Sequence, residues 1–235
     1  MCDSSYMTNI QKDINEKMRG ILVDWLVDVH LKFKLVPDIL FMAVNLIDRT
    51  LSQFAVSRSK LQLVGITAMF IYAKYEEIYP PELKDFAYVT DKAYTSSEIL
   101  DMEGKILTAM SFNLAFTSSY RFFERYSRVC GFDEKTQCLG RYLLELCLVE
   151  YKMQKYKPSL LACAAIYLVN KLQKREGWSD GMAKNTKYSE QDLRPCAKEM
   201  CLLLQNSTKS SLQAVRRKFS APKFFEVAKI QVDKL

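Results

Sequence analysis

An all-α chain of two five-helix bundles in tandem is the fold the sequence predicts. Three observations carry it. With 49% hydrophobic residues but only 7 Gly and 6 Pro in 235 residues, the chain favours long regular elements over tight turns. Apolar residues recur at helical spacing, as in Met18, Ile21, Leu22 and Trp25 (i, i+3, i+4, i+7). Two nearly all-apolar helical stretches, about a hundred residues apart, each read as the buried centre of a bundle, so the second half repeats the plan of the first.

Residues 1–14 read as a short, loosely ordered polar leader. Asn15 or Asp13 then caps a helix reaching about Lys34. Its stretch MRGILVDWLVDVH holds more apolar surface than one core face needs. Pro37 opens a second helix through DILFMAVNLIDRTLSQ. Ser57 or Ser59 opens a third, KLQLVGITAMFIYAKYEEIY, the centre of the first bundle, which Pro80-Pro81 stops. A short helix near Glu82–Tyr88 and a helix after the capping box Thr95–Glu98 complete residues 15–116.

In the second bundle, 117–220, Ser118 or Ser119 starts a helix that Gly131 breaks. DEKTQCLGRYLLELCLVEY follows, and Pro158 opens SLLACAAIYLVNKLQKR, whose small residues suit a central helix. GWSDGMAKNTK reads as a polar loop. Ser189 caps EQDLRPCAKEMCLLLQN, where Pro195 predicts a kink or a later start. SLQAVRRKFS is the last helix, and 221–235 is expected to be irregular.

Several chemistries are absent. His30 is the only histidine and no C-x-x-C occurs, so neither a zinc site nor a histidine-based acid–base centre is expected. No G-x-G-x-x-G, G-x-x-x-x-G-K-[ST] or G-x-S-x-G is present. The pair Glu76-Glu77 points about 100° apart on a helix and converges on nothing. Seven cysteines, several in apolar helical contexts, fit reduced buried thiols in an intracellular protein. No apolar run is long enough for a membrane span. The sequence reads as a binding protein, not an enzyme, and no cofactor is expected.

Charge is uneven. Residues 1–117 hold 12 basic and 15 acidic groups, and residues 118–235 hold 22 and 12, so the second half carries +10. A basic half can attract phosphate, nucleic acid or an acidic partner. Lys152, Lys155 and Lys157 are candidates for reading phosphorylated partners.

MRGILVDWLVDVH, KLQLVGITAMFIYAKYEEIYPPE, FAYVTDKAYT and DMEGKIL together resemble the cyclin box of the mitotic cyclins. The likeness covers about residues 13–220. The B type stands first, on AKYEEIYPPELKDFAYVTD and YLLELCLVEYKM, and the A type second. The resemblance implies two tandem cyclin-box bundles and a non-catalytic subunit that forms a heterodimer with a cyclin-dependent Ser/Thr protein kinase in mitotic control, nuclear and cytoplasmic.

It assigns the kinase contact to Lys74 and Glu103, with Ile71, Tyr75, Ile78, Leu107, Phe112 and Leu114 as its apolar part and Glu76 and Glu77 near the kinase activation segment. It assigns a docking patch for R-x-L-type substrates or inhibitors to Met18, Ile21, Leu22, Trp25, Leu61, Gln62 and Val89, with Asp28 accepting the peptide cation. Arg19, Asp48 and Leu63 are implied to be structural. Asp28 stands where the longer Glu is common, Gly20 where Ala is, and Gly104 beside Glu103 is also a departure. A second reading keeps the fold but makes the partner nucleic acid, as in transcription initiation factors with two cyclin repeats. It rests on the basic half and lacks their zinc ribbon. A third is an adaptor that uses only the groove.

Overall fold

The computed structural model describes residues 5–230, and among these every regular element is helical. The chain divides into two compact units between Phe116 and Thr117.

The first unit contains α1 (Tyr6–Asn9), α2 (Glu16–Phe33), α3 (Pro37–Leu51), α4 (Leu61–Glu76), α5 (Leu83–Val89) and α6 (Ser96–Ala109). Asn15 caps α2, its side chain accepting from the Met18 N–H. Lys34 ends the helix in the left-handed region. Pro37 sits in the first turn of α3, where its missing N–H is harmless. Neither Ser57 nor Ser59 caps α4. A 3-10 turn, Arg58–Lys60, leads into it instead. Every residue of α4 from Leu63 to Ala73 is buried, and the helix packs on α2, α3, α5 and α6. It is the central helix its all-round apolar sequence demands. Glu82 with Asp85, and Thr95 with Glu98, form capping boxes that start α5 and α6.

Residues 1–4 of the expected leader lie outside the described residues, and from Ser5 onward it is not loose. Tyr6 is fully buried, and its hydroxyl donates to Asp48 Oδ1 at 2.8 Å. Gln11, 5% exposed, donates to the Leu51 and Phe54 carbonyls at 2.6 and 2.8 Å and accepts from the Val56 N–H at 3.0 Å. A polar-looking segment is thus stitched along the end of α3 by side chains that satisfy its carbonyls.

The second unit contains α7 (Ser119–Val129), α8 (Glu134–Val149), α9 (Pro158–Leu172), α10 (Asp180–Thr186), α11 (Glu190–Asn206) and α12 (Ala214–Phe219). Ser118, Asp133 and Ser189 cap α7, α8 and α11. Ala162–Val169 of α9 are all buried, and α9 packs on α7, α8 and α11.

Three expectations change. GWSDGMAKNTK is not a loop: Ser179 caps α10, accepting from the Met182 N–H, and Met182 docks it at 6% exposed. Pro195 does not delay α11, which starts at Glu190 and carries the proline inside it. Pro195 is exposed, and the carbonyl it deprives belongs to Gln191, itself an exposed residue, so water can take over. The tail after 220 carries 3-10 turns at Pro222–Phe224 and Val227–Lys229, with Val227 and Ala228 buried. With α10 included, each unit follows the same order of three long helices, one of seven residues and another long one.

Candidate functional site

Two regions of the first unit collect the predicted residues. The first lies at the end of α4. Lys74 on α4 and Glu103 on α6 form an ion pair, Nζ to Oε1 at 2.7 Å. The ammonium also lies 4.2 Å from the centre of the Phe70 ring. Phe70 is 5% exposed, so a core aromatic supports the lysine from below. Around the pair stand Tyr75 at 58% exposed, Ile78 at 86% and Phe112 at 70%. Leu107 and Leu114 are half-buried. Ile71 is not at this surface: at 3% exposed it belongs to the core of α4, because it turns to the side packed on other helices. Sequence reading also missed Tyr79, 92% exposed between Ile78 and Pro80. An apolar residue just beyond a helix stop is a signal that could have marked it.

Phe112 is displayed by an uncommon backbone. Ser111 and Phe112 both have positive φ, 50° and 57°. For bulky residues this is unfavourable and must be held by neighbours. The Phe112 N–H donates to Leu107 O at 2.8 Å, the Arg49 guanidinium to Asn113 O at 2.8 Å and the Tyr72 hydroxyl to Leu114 O at 2.9 Å. Glu77 is committed within the unit, since its Oε1 accepts from the Val36 N–H at 2.8 Å. That bond ties the end of α4 to the start of α3.

The second region is a groove of about 380 Å³ lined by Met18, Ile21, Leu22, Trp25, Arg58, Leu61 and Gln62. Six of the eight docking residues named from the sequence line it. Ile21 is half exposed, Trp25 partly so, and Leu22 and Leu61 are buried. Asp28 and Val89 do not line it. Asp28 is exposed one turn beyond Trp25 on the same face of α2. Arg58 was missed because it lies in the linker before α4. Beside the groove α2 and α4 meet closely: a Cβ on Gly65 would lie 2.6 Å from Leu22 Cδ1.

Behind the groove lies a buried ion pair. Arg19 donates from Nε and Nη2 to the two Asp48 oxygens, each at 2.8 Å, and the side chains are 1% and 6% exposed. Burial works against the Arg19 charge. Attraction and hydrogen bonding from Asp48, with Tyr6 adding to them, outweigh it and raise the guanidinium above its ordinary pKa. Leu63 is buried at 2%.

The second unit has its own buried pair, which no sequence pattern announced. Lys218 reaches both oxygens of Glu145 at 2.7 Å with both side chains fully buried, and Arg141 donates to Glu145 at 2.9 Å. Burial lowers Lys218 to about 8, although Glu145 pulls it upward. Other cations of this unit are also tied to carboxylates. Arg121 and Arg128 pair with Glu124, Lys155 with Glu199 and Arg194 with Glu190. Lys155 is therefore not a bare cation waiting for phosphate. Burial raises the thiols of Cys163 and Cys196 to about 12, so both stay protonated.

Known proteins share both halves. Residues 1–115 match the family "Cyclin, N-terminal domain" and residues 117–233 "Cyclin, C-terminal domain". A G2/mitotic-specific cyclin-B of Marthasterias glacialis is 44% identical over 97% of this chain and 58% of its own length. Its counterpart in Dictyostelium discoideum is 40% identical over 98% and 53%. Cyclin-A1-1 of Arabidopsis thaliana is 41% identical over 97% and 51%. The chain spans about half the length of these relatives.

Among solved structures, a viral cyclin from herpesvirus saimiri has a TM-score of 0.72 at 16% identity, over 82% of this chain and 88% of its own. The yeast RNA Pol II CTD kinase CTDK-1 complex contains a chain with TM-score 0.72 at 13% identity, over 97% of this chain and 83% of that one. At those identities the likeness is one of fold, whereas the two family matches and the identity to curated mitotic cyclins speak to descent. The chain, with both of its helical units, belongs to the cyclin family.

Proposed function

We propose that this chain is a non-catalytic regulatory subunit that binds and activates a cyclin-dependent Ser/Thr protein kinase, and that the α2 groove recruits R-x-L-type peptides in mitotic control. The observation that carries the kinase reading is the Lys74–Glu103 pair set among exposed Tyr75, Ile78, Tyr79 and Phe112. An exposed ion pair contributes only ~0–1 kcal/mol to stability. An apolar strip of that size is costly to leave in water, and both features suit a partner's surface. The solved kinase complex that contains a chain of this fold supports the same reading.

The mechanism is a population shift. A kinase is active when its αC glutamate turns in to meet its β3 lysine. A partner that binds only that state shifts the equilibrium by its differential affinity. Moving it from 1:99 to 99:1 takes about 5.5 kcal/mol. Full burial of one large apolar side chain contributes about 1.5–3 kcal/mol, so a few contacts made only in the turned-in state suffice. Lys74 and Glu103 hydrogen-bond kinase backbone and fix the register, so the pair gives orientation more than affinity.

Shape and charge support the groove reading. The peptide leucine enters between Ile21, Leu22 and Trp25, and Asp28 accepts the cationic residue one turn away. The protein acts in the nucleus and cytoplasm. Among the described residues no helix is long and apolar enough to cross a membrane.

The test mixes the purified chain with a cyclin-dependent kinase and histone-type substrate. A large gain in phosphorylation is expected, reduced by Lys74→Ala with Glu103→Ala. Trp25→Ala is expected to abolish R-x-L peptide binding without altering that basal gain. Unchanged complex formation by the Lys74/Glu103 double variant would refute the assignment of the interface.

A further inference from the structure

The wall of the α2 groove holds one cation, Arg58, among otherwise apolar or neutral side chains. Arg19 and Arg49, the other arginines of the first unit, are both engaged, Arg19 with Asp48 and Arg49 with the Asn113 carbonyl. Arg58 differs. Its backbone N–H donates to Asp13 Oδ2 at 2.8 Å, but its guanidinium makes no hydrogen bond or ion pair among the described residues. Arg58 is exposed, so an incoming anion can reach it. A guanidinium beside an apolar wall binds a carboxylate better than one wholly in water, because part of its surroundings is less polarisable.

Its place along the groove is fixed by Asp13. That residue stands two positions before Asn15, the cap of α2, so Arg58 lies at the N-terminal end of the helix. Nearby Lys12 and Lys17 are balanced by Asp13 and Glu16, all four exposed, which leaves Arg58 as the excess charge at that end. Asp28 lies toward the other end. Met18, the groove residue nearest the cap, and Asp28 are ten residues apart. At a rise of ~1.5 Å per residue that is ~15 Å along the helix axis. An extended peptide covers ~15 Å in about four or five residues. The cation and leucine of an R-x-L peptide account for the first two steps.

We propose that Arg58 binds a carboxylate side chain on the docked peptide, two or three residues after its leucine, so that the groove selects R-x-L peptides carrying Asp or Glu there. The proposal rests on the groove reading and adds a second charged end to it. Asp28 holds the peptide cation, Ile21, Leu22 and Trp25 hold the leucine, and Arg58 holds the anion. Opposite charges at the two ends also set the direction in which the peptide lies, since the reversed peptide brings like charges together at both.

The test is a peptide series on the full chain. Labelled R-x-L peptides carry glutamate, alanine or lysine at the second or third position after leucine, and fluorescence anisotropy at low salt gives Kd. At one of those positions glutamate is expected to bind about threefold to fivefold tighter than alanine, and lysine weaker than alanine. The preference should shrink as salt rises, vanish in Arg58→Gln, survive in Arg58→Lys and reverse in favour of lysine in Arg58→Glu. A reversed preference cannot come from a misfolded groove. Equal binding of the glutamate, alanine and lysine peptides, with Trp25→Ala still abolishing it, overturns the role of Arg58 and leaves the groove reading standing. A glutamate preference that persists in Arg58→Gln overturns it as well, because another cation then makes the contact. A wild-type chain that binds none of the peptides removes the groove reading, and the Arg58 assignment with it.

Discussion

Replacing Asp48 by alanine should unfold the first unit more effectively than any change on its proposed binding surfaces. Asp48 accepts two hydrogen bonds from Arg19 and one from Tyr6, all at 2.8 Å, and the three side chains are almost wholly removed from water. The substitution leaves a guanidinium with no anion in the interior, and a buried phenol loses its acceptor. Breaking one partner of a buried pair typically costs about 3–5 kcal/mol. For a unit of this size 1 kcal/mol moves the midpoint by about 4 °C, so a fall of roughly 12–20 °C is expected. Thermal unfolding reads the total, and hydrogen exchange at α2 and α3 amides localises it. Lys74→Ala is the control, since its partly exposed pair is worth ~0–1 kcal/mol. Arg19→Met with Asp48→Leu should recover much of the loss, because apolar side chains of similar volume replace a buried pair at little cost. The reasoning fails if Asp48→Ala costs no more than Lys74→Ala.

Other consequences are open to measurement. Tyr6→Phe removes one hydrogen bond to a charged acceptor and should cost about 1.5–3 kcal/mol by denaturant titration, although Tyr6 lies in what reads as a polar leader. Gly65→Ala should drive Leu22 into the α2 groove and weaken R-x-L peptide binding by fluorescence titration, while kinase binding is unchanged. Lys218 is held at about 8 in the fold against an ordinary 10.5 in the unfolded chain. Between those values the unfolded chain binds more protons, so this group makes stability rise with pH across that window. Wild type minus Lys218→Met, compared from pH 7.5 to 10.5, isolates that slope from the cysteines and tyrosines that titrate nearby; a flat difference would contradict it.

What could be read from the sequence followed the physics that patterns encode. α4 and α9 were visible because helices apolar on every side have nowhere to go but a centre. Thr95–Glu98 and Ser189 were visible because caps act within three residues. α10 was hidden because the glycines and polar residues of GWSDGMAKNTK mimic a loop, and one buried Met182 is enough to dock it. Tyr6 and Gln11 were hidden because their partners lie 40 or more residues away. The Glu145–Lys218 pair spans 73 residues and has no local signature. At the candidate sites, resemblance pointed to Lys74, Glu103, Trp25 and Leu22, and periodicity alone could not show that Ile71 turns inward or that Arg58 turns toward the groove.

The stretch from Ser111 to Leu114 is irregular chain, yet it is fixed almost residue by residue: through the Phe112 and Asn113 amides, and through the Asn113 and Leu114 carbonyls held by Arg49 and Tyr72. Ordering such a loop during association would cost about 1–2 kcal/mol per residue, or roughly 4–8 kcal/mol in all. That is as large as the bias needed to turn a kinase on. Here the ordering is completed when the chain folds. On the kinase reading, this subunit is the rigid half of the encounter, a template with Phe112 already in place. Assembly then waits on the excursions of the partner, and the association rate should report how often the kinase visits its turned-in shape.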